Sequence, residues 1–163
     1  MKTIYIVRHA KSSWADLLMK DIDRPLNERG RRDAPVMSSK CMEHQYIPEL
    51  IITSNAKRAQ ETSMYFIEKF GLSDFQIQVN PKLYHAPEDT YFEEAQLIDD
   101  LISTVMMFGH NPGITYLANS VSENYIDNVP TCGVLAVHST AKTWSELDPM
   151  NSKLMNFIYP KMF

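Results

Sequence analysis

The sequence predicts a single three-layer α/β domain with a central, mostly parallel sheet flanked by helices. Three observations lead there. Short apolar, β-branched runs alternate along the chain with segments of helical periodicity, the order expected of parallel strands joined by crossover helices. The 163 residues, 44% of them hydrophobic, suffice for one sizeable core and not for a second full domain, so residues 1–163 are read as one unit. Two of the apolar runs also end in histidine-bearing polar turns, at the edge of such a sheet where ligands collect.

The first strand is expected over Thr3 to Val7, a β-branched and aromatic run that suits burial on both faces, ending at Arg8-His9. A polar loop follows. From Leu26 onward the chain reads as helical, with Gly30 and Pro35 disturbing the register, so that Pro35 either begins the regular part or kinks it. Leu50 to Thr53 is the second strand, and Ser54 or Asn55 is placed to cap the helix after it. That helix carries Ala59, Ser63, Phe66, Ile67 and Phe70 on one side and stops at Gly71.

Phe75 to Val79 is expected as a third strand, and Pro87 with Glu88-Asp89 marks a helix start whose pattern runs through Ile102. Thr104 to Phe108 is the fourth strand, leading into Gly109-His110-Asn111-Pro112-Gly113, where Asn111 suits a cap and Pro112 the first helical position. Val134 to His138 and Met155 to Tyr159 complete the strands, the last at an edge. Between them Trp144 either pins down the polar connection or lines a pocket.

Composition narrows the function. With 16 Lys plus Arg against 20 Asp plus Glu the net charge is -4, which mildly repels an anionic polymer, and no basic-aromatic surface is apparent. Nucleic acid is therefore not the expected partner, and any phosphate affinity must be local. The apolar opening is too short for a membrane span or a signal h-region, so no membrane partner and a cytoplasmic location are the default expectations. Cys41 and Cys132 show no metal-ligand spacing and read as ordinary thiols. Nothing in the sequence indicates an oligomeric state.

His9 and His110 lie 101 positions apart, yet both follow strands and so converge at the carboxyl edge of the sheet. Neutral imidazole can attack phosphorus and carry a phosphoryl group through a covalent intermediate, and arginines offer donor forks to its oxygens. Arg58 falls in the first turn of its helix, where a cation opposes the dipole unless an anion binds there. Taken residue by residue, a satisfied strand-end histidine, a tight turn at His110 and an exposed helix arginine are the competing readings.

Four segments, taken together, resemble the histidine phosphatase superfamily, especially its compact SixA-like phosphohistidine phosphatase branch. They are Ile4 to Ser12, Asp23-Arg24-Pro25-Leu26-Asn27-Glu28-Arg29-Gly30, Thr53 to Thr62, and Gly109 to Gly113. The resemblance implies that His9 is the phosphorylated nucleophile, that Arg8, Arg58 and His110 surround the phosphoryl group, and that neither a metal nor an organic cofactor is required. It also implies a relatively open entrance, suited to a phosphorylated protein side chain. A small phosphate ester is the competing substrate, and a noncatalytic phosphate-binding module is the alternative of a different class.

Two departures from the family pattern stand out. Ala10 replaces a glycine, which is tolerable where the backbone does not need positive φ, and Asn55 replaces a proline. For the leaving-group proton, His85, Glu88 and no dedicated acid are all open, Glu88 being equally suited to a helix N-terminus. Lys11 and Ser12 are either rim contacts or a solvated loop. Arg24 and the Arg29, Arg31, Arg32 cluster read as exposed helix charges, with attraction of an acidic partner as the second reading.

Overall fold

A computed structural model of residues 1–163 shows a six-stranded sheet of order β3-β2-β4-β1-β5-β6, comprising β1 (Lys2–Arg8), β2 (Leu50–Thr53), β3 (Ile77–Val79), β4 (Thr104–Gly109), β5 (Val134–Ser139) and β6 (Ser152–Ile158). β3, β2, β4 and β1 run parallel; beyond β1, β5 is antiparallel to β1 and β6 antiparallel to β5, so that β5 alone runs against the rest. The sheet is thus mixed and mostly parallel. Helices α1 (Glu28–Glu43), α2 (Lys57–Phe70), α3 (Glu88–Ala95) and α4 (Gly113–Val121) cover its two faces.

Strand alternation explains the three layers. Successive side chains point to opposite faces, so Ile4, Ile6 and Met107 enter one core with Phe92 of α3 and Leu117 of α4. Tyr5, Val7, Met106 and Phe108 enter the other with Met37 of α1 and Phe66 of α2. The central strands are therefore apolar at nearly every position, which is what made them legible as continuous runs.

Several local expectations need correction. α1 starts at Glu28, capped by the Asn27 side chain, which accepts from Gly30 N at 2.9 Å, and Pro35 lies inside the helix instead of opening it. β3 begins only at Ile77; residues 74–76 form a 3₁₀ turn with Phe75 exposed. α3 ends at Ala95, well before Ile102, where the backbone tightens into turns with Leu97 N donating to Glu94 O at 3.3 Å and Ile98 N to Ala95 O at 3.1 Å; Lys2 Nζ donates to the carbonyls of Asp100 and Ile102 at 2.9 Å farther on. β6 starts at Ser152, and it is an edge strand as expected.

Neither Ser54 nor Asn55 caps α2. Its N-cap is Ala56, without a side-chain bond, while the Ser54 hydroxyl serves the Ala56 N–H and the His110 ring. At α4 the N-cap position belongs to Pro112, although Asn111 Oδ1 still accepts from Thr115 N at 3.2 Å. Trp144 is fully buried and its indole N–H donates to Ile102 O at 2.7 Å, so it pins the late connection. Cys41 and Cys132 are buried free thiols, and burial pushes the Cys41 thiol up to about 12. No helix is long and apolar enough to cross a membrane.

Candidate active site

The pairing of β1 with β4 builds the site. Arg8 is in register with Gly109, so the next residue of each strand, His9 and His110, leaves the sheet at the same edge. Their rings stand 5.1 Å apart between centroids. α2, following β2 in the same parallel set, brings Arg58 beside them. Together with Arg8, Lys11 and Arg24 they line a cavity of about 290 Å³. Two larger surface cavities do not bring a histidine together with arginines.

His9 is nearly buried, and its Nδ1 lies 2.7 Å from the Ala10 carbonyl. A carbonyl only accepts, so Nδ1 carries the proton and Nε2 presents a lone pair. That lone pair meets Arg58 Nε at 3.3 Å. Burial, and then the charges of Arg58, Arg8 and Arg24, push the His9 pKa down to about 3 against the opposing Ala10 bond. The ring is neutral at ordinary pH. Ala10 is itself buried and has no positive φ, and its N–H donates to Thr62 Oγ1 at 2.9 Å, so the position accepts alanine.

His110 has the opposite tautomer. Arg58 Nη2, which can only donate, faces its Nδ1 at 3.5 Å, leaving Nε2–H for the Ser54 hydroxyl at 2.8 Å. Burial, then His9 and Arg58, push its pKa down to about 2. Arg8 donates through Nη1 to Val129 O at 2.8 Å, while its buried Nε has no protein partner.

Sequence reasoning missed Asp21. Its carboxylate accepts from Arg58 Nη2 at 3.0 Å, from Arg24 Nε at 3.0 Å, from the Tyr84 hydroxyl and from His85 Nε2 at 3.1 Å, and its carbonyl accepts from Arg58 Nη1 at 2.7 Å. Burial alone would raise its pKa; the Tyr84 bond and the two guanidinium groups outweigh that and hold the carboxyl well below the usual range. Asp21 carried no signal in the sequence because Arg58, Tyr84 and His85 lie 37, 63 and 64 residues away.

The family model described as histidine phosphatase superfamily (branch 1) matches residues 4–85. The chain belongs to this superfamily. An uncharacterized chloroplastic protein of Arabidopsis thaliana is 30% identical over 153 residues, spanning 89% of this chain and 70% of the relative. An uncharacterized protein of Mycobacterium tuberculosis is 29% identical over 165 residues, spanning 95% and 100%. Among solved structures, one from Agrobacterium tumefaciens, provisionally named phosphohistidine phosphatase SixA, is 27% identical with a TM-score of 0.82 and 98% coverage of both chains. The protein histidine phosphatase SixA complexed with tungstate shares the fold at a TM-score of 0.81 and 19% identity, again over 98% of both chains.

Within this superfamily member the residues expected at the cleft fall into different places. Lys11 and Ser12 both line the cleft, and Ser12 is buried and accepts from Arg24 Nη1 at 2.8 Å, which excludes a solvated loop at Ser12. Arg24 is likewise not an exposed charge: it is buried between Asp21 and Trp14, its guanidinium 3.6 Å from the Trp14 ring centre. Arg29 and Arg32 are surface charges paired with Asp33. His85 lines the cleft, and its φ of 51° lies in the left-handed region, uncommon outside glycine. Glu88 opens α3 and does not line the cleft. No cluster of three or more His, Cys, Asp or Glu suitable for a metal is present.

Proposed function

We propose that the protein is a phosphohydrolase that removes phosphate from protein phosphohistidine through a phospho-His9 intermediate. The observation that carries this reading is the fixed tautomer of His9, whose Nε2 lone pair faces a cleft lined by arginines. In the first step His9 Nε2 bonds to phosphorus while the bond from phosphorus to the substrate nitrogen breaks, and the departing imidazole takes up a proton from solvent water. In the second, water attacks phosphorus, the bond to Nε2 breaks, and inorganic phosphate leaves with His9 neutral again.

Arg8, Arg58 and His110 serve as donors to the phosphoryl oxygens, each charged bond contributing roughly 1.5 to 3 kcal/mol. For His110 this requires a proton on Nδ1, which the arriving anion favours. His85 is the proton donor to poorer leaving groups. Its contact with Asp21 in the cleft supports it over Glu88. Retention of a neutral nucleophile argues against a module that only binds phosphate, since binding needs no such group.

Trapping with a labelled phosphohistidine protein is expected to place phosphate on His9 of the parent and on nothing in His9→Ala. Turnover without that adduct overturns the covalent route. A large preference in kcat/KM for small phosphate esters over the phosphohistidine protein overturns the substrate assignment.

A further inference from the structure

A loop with an apolar tip connects two residues that line the cleft, Trp14 and Asp21, each within four residues of the tip. Leu17 and Leu18 are 86% and 97% exposed, and both belong to neither core. The two ends of their loop are fixed in the cleft wall. Trp14 lies over the Arg24 guanidinium, Ser13 N donates to Pro25 O at 2.8 Å, and Asp21 holds Arg58 and Arg24. Between them the turn is preformed, with Leu18 N donating to Asp16 Oδ1 at 3.0 Å and Met19 N to Asp16 O at 3.4 Å. Phe75, Leu97, Leu101 and Met150 are also exposed, but they lie farther along the chain from every residue that lines the cleft, whereas Leu17 and Leu18 are each three positions from one. Consecutive exposed leucines beside a site mark a contact surface, whereas scattered ones need no explanation.

We propose that the Leu17-Leu18 tip docks the protein that carries the phosphoryl group, seating on an apolar patch next to the phosphorylated side chain. The proposal rests on the phosphatase reading and adds what the site requires of its substrate. Charge and size choose this occupant. The cleft beside the tip carries Arg8, Lys11, Arg24 and Arg58 and complements a phosphoryl group, while a small ester ends inside the cavity of about 290 Å³ and leaves the outward leucines untouched. An anionic membrane is disfavoured because residues 13–23 hold one lysine against three aspartates.

Leu17→Ser/Leu18→Ser tests this, since the tip is attached through backbone bonds and supports no core. The substrates are a carrier protein phosphorylated on histidine and, as its small counterpart, phosphoramidate. The expected result is a fall of about tenfold or more in kcat/KM for the protein, mostly in KM, with phosphoramidate hydrolysis and its His9 adduct within about twofold of the parent. Unchanged kinetics on the protein overturn the proposal, and so does an equal fall on both substrates. Loss of vesicle binding, or of a dimer, without a selective loss on the protein overturns it in favour of a membrane or a second copy. Absence of turnover on every substrate sinks the phosphatase reading instead. Docking is then decided by binding of the phosphorylated carrier protein, which must weaken in the variant and which overturns the proposal if it does not.

Discussion

The two neutral histidines make the stability of this protein depend on pH in a way that can be worked out in advance. His9 and His110 titrate from an ordinary value of 6.5 when unfolded but only near 3 and 2 when folded, chiefly because burial disfavours their charged forms. Protons therefore bind the unfolded chain first. Stability from this source is complete above 6.5, falls as pH drops below it, and levels off only beneath the folded values. At about pH 5 each histidine is some 1.5 units below its unfolded pKa, which at about 1.36 kcal/mol per unit is about 2 kcal/mol each and about 4 for the pair. That figure needs only that both folded values lie below 5. Repulsion between the rings lowers the second value further and leaves it unchanged. Against a typical stability of about 5–15 kcal/mol the loss is large. Urea unfolding at about pH 7 and about pH 5 measures it, with His9→Asn/His110→Asn as the comparison in which the other three of the five histidines cancel. The parent is expected to lose about 4 kcal/mol more than the variant over that interval. An equal loss in both proteins, or a His9 ring that titrates near 6.5 by NMR, refutes the reasoning.

Two further outcomes follow from the cleft and its supports. Asp21→Ala frees Arg58 and Arg24 from the carboxylate that orients them, so kcat/KM is expected to fall by about ten- to a hundredfold and the product, inorganic phosphate, to inhibit more weakly; tighter inhibition would mean that Asp21 competes with the anion. Gly30→Ala places a Cβ 2.2 Å from the Lys11 carbonyl, backbone that is itself held by Asn27 N. A loss of about 1–3 kcal/mol in urea unfolding is expected although alanine is the better helix former, and a gain in stability would contradict the packing.

Legibility tracked burial. Strands β1, β2 and β4 lie between two layers, so nearly every residue is apolar and their runs stand out; the expected and observed spans agree to within about one residue at most ends. β3 and β6 are edges with mixed exposure, and their expected starts differ from the observed ones by two and three residues because a half-polar run has no sharp border. The α2 cap failed for a different reason. Ser54 has the right chemistry for a cap, but its hydroxyl is taken by His110, a residue 56 positions away.

The sequence by itself determined the alternation of strands and helices, the Arg8-His9 pair at a strand end, and the second histidine after β4. Each is a local pattern, readable from neighbours along the chain. Only the tertiary structure decided the protonation of His9 and His110, the burial of Arg24, and the place of Asp21 among Arg24, Arg58, Tyr84 and His85. These depend on which atoms meet after β1, β2 and β4 have aligned. A tautomer or a depressed pKa is set by the partner across a few ångströms of space, and that partner has no fixed distance in sequence.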